Sequence, residues 1–188
     1  MRKDDLFERT EAMKEITLLA AVDANWGIGF QNQLLFHLKK DMEYFRKLTL
    51  QNIVVMGRKT FESLPGGRSL PERKNIVLTR QAGWEEAYAK KNEDVLVFHS
   101  PDQVLAFVAD RREDVYIIGG GQVYRQFLGC ASMAYITKVH ERKQADTFFP
   151  HLDQIEGWSK VSESEMLIDE SGVEFQFVQY KHIGGDRC

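Results

Sequence analysis

Short apolar runs of four to seven residues punctuate the chain: ITLLAAV (16–22), NIVVM (52–56), NIVLT (75–79), VLVF (95–98), VYII (115–118) and AYITKV (134–139). Rich in β-branched residues and bounded by turn formers, they predict strands. Between them apolar positions recur three and four apart, which predicts helices over 39–49, 59–64, 101–110 and 122–128. The third opens with SPDQ, where Ser100 can cap and Pro101 takes the first helical position. Strand and helix in alternation predict an α/β fold with a largely parallel sheet covered on both faces. The final stretch, WSKVSESEMLIDESGVEFQFVQYKH, has no helical period. It reads as two strands joined through DESG, an antiparallel hairpin at one edge, so the sheet is expected to be mixed.

No repeat, low-complexity tract or Pro/Gly/Ser-rich linker divides the chain, which predicts a single domain over residues 15–183. Residues 1–14 form an N-terminal extension that could make a helical turn or two through Leu6, Phe7 and Met13 or stay disordered, and residues 184–188 are expected to be a loose tail.

One helical segment carries a contradiction. In LLFHLKKDMEYF (34–45), Leu38, Met42 and Phe45 fall on one stripe, and Asp41 falls on it too. A carboxylate taken out of water is costly unless something donates hydrogen bonds to it. That donor need not be protein.

Charge narrows the partners without naming one. The 25 Lys and Arg stand against 28 Asp and Glu, both signs scattered, so neither a nucleic-acid footprint nor a polybasic membrane patch is present in the sequence. The five histidines include no HxxxH pair and the two cysteines no CxxC spacing, so no metal is expected. Cys130 and Cys188 are expected to be free thiols in a reducing compartment. No apolar run is long enough to span a membrane, and the first fifteen residues lack the apolar core of a signal peptide, which gives a cytoplasmic expectation.

Candidate chemistry gathers at three strand ends, where helix N-termini offer free N–H groups to anions. In VYIIGGGQVY a strand runs into Gly119, Gly120 and Gly121 and a helix begins with Gln122. Glycines there would let backbone N–H groups approach a pyrophosphate, although a plain tight turn explains the same residues and the spacing is not GxGxxG. In IVVMGRKTFESL, Gly57 is followed by Arg58, Lys59 and Thr60. Cations at a helix N-terminus oppose the dipole, which makes sense if an anion binds; the alternative is a solvated basic pair. In IVLTRQ, Arg80 lies just past another strand. If those ends adjoin, Lys59 and Arg80 can share the extra phosphate that separates NADP from NAD.

In order, the motifs AAVDANWGIG, LKKDMEYFRKLT, VVMGRKTFESLP, SLPERKNIVLTR, VYIIGGGQVY, YITKV and ADTFFP resemble the dihydrofolate reductase family from Ile16 to the final strands. The resemblance implies an eight-stranded mixed sheet with flanking helices and an enzyme that transfers a hydride from NADPH to C6 of dihydrofolate with protonation at N5. Asp41 matches the family's acidic site residue, which accepts from the pterin 2-amino group and N3, and Thr137 matches the residue that bonds to that carboxylate. Leu19, Ala20, Met42, Phe45, Leu64, Leu70 and Ile118 match folate-pocket walls. Arg73 matches the arginine gripping the α-carboxylate of the glutamate tail. Ala21 and Ile28 match residues presenting backbone groups to the nicotinamide carboxamide. Gly57, Arg58, Lys59, Thr60, Leu78, Thr79, Arg80, Gly119, Gly120, Gly121, Gln122, Val123 and Tyr124 match the rest of the cofactor groove, with a cis peptide between Gly119 and Gly120. NWGIGFQNQL (25–34) matches a mobile loop that Asp146 can tether. The family further implies a monomer with dihydrofolate and antifolate inhibitors as its small-molecule partners, no nucleic acid, no membrane, and a role in one-carbon metabolism and thymidylate synthesis.

Two positions depart from the pattern. Leu35-Phe36 stands where many relatives have Pro-Trp, and phenylalanine lacks the indole N–H that helps hold a water near the pterin. Lys39 stands where a proline often starts the helix. Competing readings are a related pyrimidine reductase of riboflavin synthesis, against which Asp41, Phe45 and Arg73 argue, and a non-catalytic NADPH-binding regulator.

Overall fold

The computed structural model describes residues 15–88 and 94–183. The expected N-terminal extension 1–14 and the tail 184–188, with Cys188, lie outside them. Within these bounds the strands are β1 (Ile16–Val22), β2 (Gly27–Phe30), β3 (Gln33–Leu34), β4 (Ile53–Gly57), β5 (Lys74–Leu78), β6 (Val95–Phe98), β7 (Val115–Gly119), β8 (Met133–Val139), β9 (Thr147–Phe148), β10 (Trp158–Glu163), β11 (Leu167–Ile168) and β12 (Glu174–His182). The helices are α1 (Lys39–Thr49), α2 (Arg58–Ser63), α3 (Trp84–Tyr88), α4 (Pro101–Val108) and α5 (Gly121–Phe127).

Eight strands run in the order β10-β12-β8-β1-β7-β4-β5-β6, with β11 added on β12. Pairing is parallel from β8 to β6 and antiparallel where β12 joins β8, β10 and β11. The expected mixed, mostly parallel sheet is therefore present. Its C-terminal part holds three strands where the sequence suggested two, because the DESG turn serves β11 and β12: Ser171 N–H donates to Asp169 Oδ1 at 2.6 Å and Gly172 N–H to the Asp169 carbonyl at 2.9 Å.

Side-chain alternation along β4 shows how the layers form. Ile53 and Val55 point into a core shared with Val104 and Val108 of α4 and Phe127 of α5. Val54 and Met56 point to the other face, against Phe61 of α2 and Trp84 of α3. All four strand residues are fully buried, as a central strand between two helical layers requires. At α4 the expected cap is in place, with Ser100 Oγ accepting from Gln103 N–H at 3.4 Å and Pro101 at the first turn.

One expectation fails outside the sheet. Cys130, buried just after α5, is disulfide-bonded rather than a free thiol. Spacing along the chain cannot foresee pairing that tertiary folding decides.

Candidate active site

The face of α1 that bears Asp41 is only partly covered by protein. Leu38, at its N-cap, is 3 % exposed, but Met42 is 50 % exposed, and only Thr49 within the helix is buried. An apolar stripe that the core does not cover lines a cleft instead. Asp41 sits in that cleft half-buried, and across it Thr137 of β8 donates its hydroxyl to Asp41 Oδ1 at 2.6 Å. Enclosure raises the Asp41 pKa, and the threonine hydroxyl works against that rise by bonding the charged form. Thr137 is held by pairing with Ala21 on β1 and Phe177 on β12, so two neighbouring strands fix its hydroxyl.

Beneath the cleft, buried Tyr124 donates to the Leu19 carbonyl at 2.7 Å. Burial, and then the nearby Asp41 carboxylate, push its phenol far above the ordinary range, so it stays a donor. Leu19, Leu78, Val123 and Tyr124 are buried, while Ala20, Phe45, Leu64, Leu70 and Ile118 are half-buried around the opening. Ala21 and Ile28 are half-buried as well, on β1 and on the hairpin next along the chain.

Arg73 stands at one mouth of the cleft. Its Nε donates to Thr49 Oγ1 at 3.1 Å, Nη1 to the Pro71 carbonyl at 2.7 Å and Nη2 to the Arg46 carbonyl at 3.5 Å. Three of its five N–H donors are thus aimed by protein, and one on each terminal nitrogen remains for a ligand. Burial and the neighbouring Arg46 lower its pKa, so a ligand anion there would relieve like-charge repulsion.

The three strand ends of the sequence analysis do converge. β4 lies between β7 and β5, with Met56 opposite Gly119 and Gly57 opposite Leu78. Gly120 is the N-cap of α5, and the Gly119–Gly120 peptide is cis. Added side chains would meet protein at each glycine: a Cβ on Gly57 would stand 3.1 Å from Val123 Cγ2, and one on Gly120 3.2 Å from Thr60 Oγ1. Gln122 is exposed on the first turn of α5.

The cations divide. Arg58 Nη1 donates to both oxygens of Glu62 at 3.0 and 2.9 Å, and Glu62 also accepts from Trp84 Nε1 at 3.0 Å. Its charge is answered within α2. Lys59 and Arg80 are exposed, two residues beyond paired strand positions, and make no ion pair among the described residues. Sequence reasoning passed over His99, which lies just past β6 and places Nδ1 2.8 Å from the Thr79 carbonyl. A carbonyl only accepts, so Nδ1 carries the proton and Nε2 is left for another partner. Its place past the end of the strand beside β5 was the available signal.

Residues 25–34 are an ordered hairpin, β2 and β3 joined by Gln31 and Asn32 at φ 49° and 61°, and β2 also pairs with β9. Asp146 Oδ2 accepts from Gln31 N–H at 2.8 Å and Oδ1 from the Thr147 hydroxyl at 2.9 Å, bonds that hold its carboxyl below the usual range. Phe36, 7 % exposed, is packed with Leu38, Val139 and Phe175 in a small core of its own. Among the described residues no cluster of His, Cys, Asp and Glu could hold a metal ion, and no helix is long and apolar enough to cross a membrane.

A family model described as dihydrofolate reductase matches residues 15–182. The chain is 36% identical over 167 residues to dihydrofolate reductase of Bacillus subtilis, covering 88% of this chain and 94% of that protein. To the Neisseria gonorrhoeae dihydrofolate reductase it is 38% identical over 168 residues, 89% of this chain and 98% of the relative. A solved structure of dihydrofolate reductase from Enterococcus faecalis, complexed with NADP(H) and RAB-propyl, superposes with a TM-score of 0.78 at 34% identity, over 90% of this chain and 96% of that one. With a match that runs through the helix bearing Asp41, the converging strand ends and the β8 threonine, this chain belongs to the dihydrofolate reductase family.

Proposed function

We propose that this enzyme reduces 7,8-dihydrofolate to 5,6,7,8-tetrahydrofolate with NADPH. The observation that carries the reading is the enclosed Asp41 carboxylate bonded by Thr137 beside the partly uncovered apolar face of α1. A flat ring with two adjacent donors, the 2-amino group and N3 of a pterin, fits the two oxygens of that carboxylate, while Met42, Phe45 and Ile118 offer apolar surface to its faces. Thr137 orients the carboxylate by holding Oδ1, and Arg73 receives the carboxylate of the substrate's tail through its two remaining terminal N–H groups.

The residues at the converging strand ends fit a phosphorylated dinucleotide. Gly119, Gly120 and Gly121 keep the backbone bare where the α5 N–H groups emerge, with Gly57 beside them and Thr60 against them. Lys59 and Arg80 supply the uncommitted charges, Thr79 and His99 line the same end, and Ala21 and Ile28 offer main-chain groups at the other. When bound, NADPH would supply the hydride for pterin C6, and a proton from bulk solvent at N5 would complete the reduction. The 25–34 hairpin, paired to β9, is the segment assigned to cover that meeting point and exclude water. We take the enzyme to act as a cytoplasmic monomer, open to antifolates that mimic the pterin donors, its product serving one-carbon transfer and thymidylate synthesis.

Turnover of dihydrofolate, followed by NADPH oxidation, tests the reading and separates it from the riboflavin-type reductase and from a non-catalytic binder. An Arg80→Leu variant measured alongside is expected to raise the KM for NADPH about tenfold, the loss of one charge-assisted bond. The KM for NADH should stay where it was. Equal effects on the two cofactors would remove Arg80 from the phosphate site.

A further inference from the structure

One residue holds both ends of the 25–34 hairpin. Lys143 lies in the connection between β8 and β9, and its main-chain N–H donates to Asp23 Oδ2 at 3.0 Å. Asp23, 2 % exposed at the start of the hairpin, uses Oδ1 to accept from the N–H groups of Asn25 and Gly27, both at 2.8 Å. A buried carboxylate held by three N–H groups would be stranded if the hairpin base lifted, so that end is fixed. At the other end, the Lys143 ammonium donates to the Leu35 carbonyl at 2.9 Å and stands 4.2 Å from the centroid of the Phe36 ring.

The second grip bears directly on α1. Phe36 packs on Leu38, the N-cap of α1, and α1 has no side-chain cap of its own. The start of the helix is therefore set by the packing of residues 35–38, and Asp41 lies in its first turn. The Leu35 N–H is held by the Ile28 carbonyl, and its own carbonyl is held by the Lys143 ammonium.

We propose that Lys143 and Asp23 are positioning residues for the reduction. They pin the base of the hairpin and the residues that lead into α1, so that Asp41 keeps its place. The kinetic half of this inference rests on the reductase reading; the mechanical half does not.

Lys143→Met tests it, because it keeps the main-chain N–H and the apolar stem and removes only an exposed ammonium. The expected result is an unchanged Tm, faster hydrogen–deuterium exchange confined to residues 25–36, and a single-turnover hydride-transfer rate lowered roughly fivefold at saturating ligands. Lys143→Arg, which restores a donor and a cation over Phe36, should return the rate to within about twofold of the native enzyme. Asp23→Asn should raise exchange at residues 23–27, turning one accepting oxygen into a donor against an N–H group. Native exchange over 25–36 in Lys143→Met overturns the clamp, and so does faster exchange with an undiminished hydride-transfer rate. Equal losses in the Met and Arg variants overturn it too. A native chain that leaves dihydrofolate untouched would sink the reductase reading, with exchange still judging whether Lys143 pins the hairpin.

Discussion

Asp41→Asn is expected to lower the rate of dihydrofolate reduction by about two to four orders of magnitude, the range that proton-handling groups contribute, while leaving NADPH binding intact. Asparagine keeps the shape of the side chain and an oxygen for the Thr137 hydroxyl, so the fold loses nothing it was using. What it brings is an NH2 where the proposed function has the pterin present its own donors, and a neutral group where the charge was. Stability should move the other way. Burial raises the Asp41 pKa above its ordinary 3.8, so the native state holds that proton more tightly than the unfolded chain does. The stability this contributes is fully present below pH 3.8 and is lost as pH rises through the raised folded value. The Tm of the ligand-free native enzyme should therefore fall relative to that of Asp41→Asn over that window, the other carboxylates being common to both, and the variant should match or exceed the native Tm at neutral pH. Calorimetry from acid to neutral pH reads this directly. A variant that is both slow and destabilised at neutral pH would make Asp41 a structural carboxylate.

The same residue shows what could be read from the chain. Asp41 was visible because helical spacing put a carboxylate among Leu38, Met42 and Phe45, and no core arrangement accounts for that. Met42, expected on the family resemblance to wall the folate pocket, is half exposed on α1 instead of packed in the core. Strands β1 and β6 were legible to the residue, since short apolar runs bounded sharply by polar and turn residues leave little choice. The hairpin was not. β3 and β9 have two residues each, too few to show a period, and β2 finds its partner in β9 more than 110 residues away. The turn uses Gln31 and Asn32, outside the usual Asn-Gly signature. Arg58 and Lys59 looked equivalent in GRKT, yet Glu62 one turn later claims Arg58, a pairing that i, i+4 spacing on α2 could have shown.

The second large effect is expected at Gly119. Its φ of +139° lies in a region that side chains rarely enter, and a Cβ there would come within 3.2 Å of Thr60 Oγ1 and 3.3 Å of Thr60 Cγ2. Thr60 cannot simply swing away, because it lies on the first turn of α2, whose Phe61 is locked in the core. Gly119→Ala should therefore be destabilised by about 1–3 kcal/mol, the usual cost of a side chain forced into such a conformation. In a domain of this size that is a fall in Tm of several degrees. Gly129→Ala makes the control, since a Cβ there meets nothing within 4 Å and its φ is ordinary. The separation between a turn and a phosphate cradle comes from binding measured below the transition, where both variants are folded. If Gly119, Gly120 and Gly121 present their backbone to a dinucleotide, displacing Thr60 and the start of α5 should weaken NADPH at least about tenfold, one missing hydrogen bond's worth. Dihydrofolate, which the proposed function places against the Asp41 carboxylate that Thr137 orients, should bind as before. An alanine variant that melts early but binds NADPH like the native enzyme would reduce the three glycines to the tight strand-to-helix turn that the sequence also allowed.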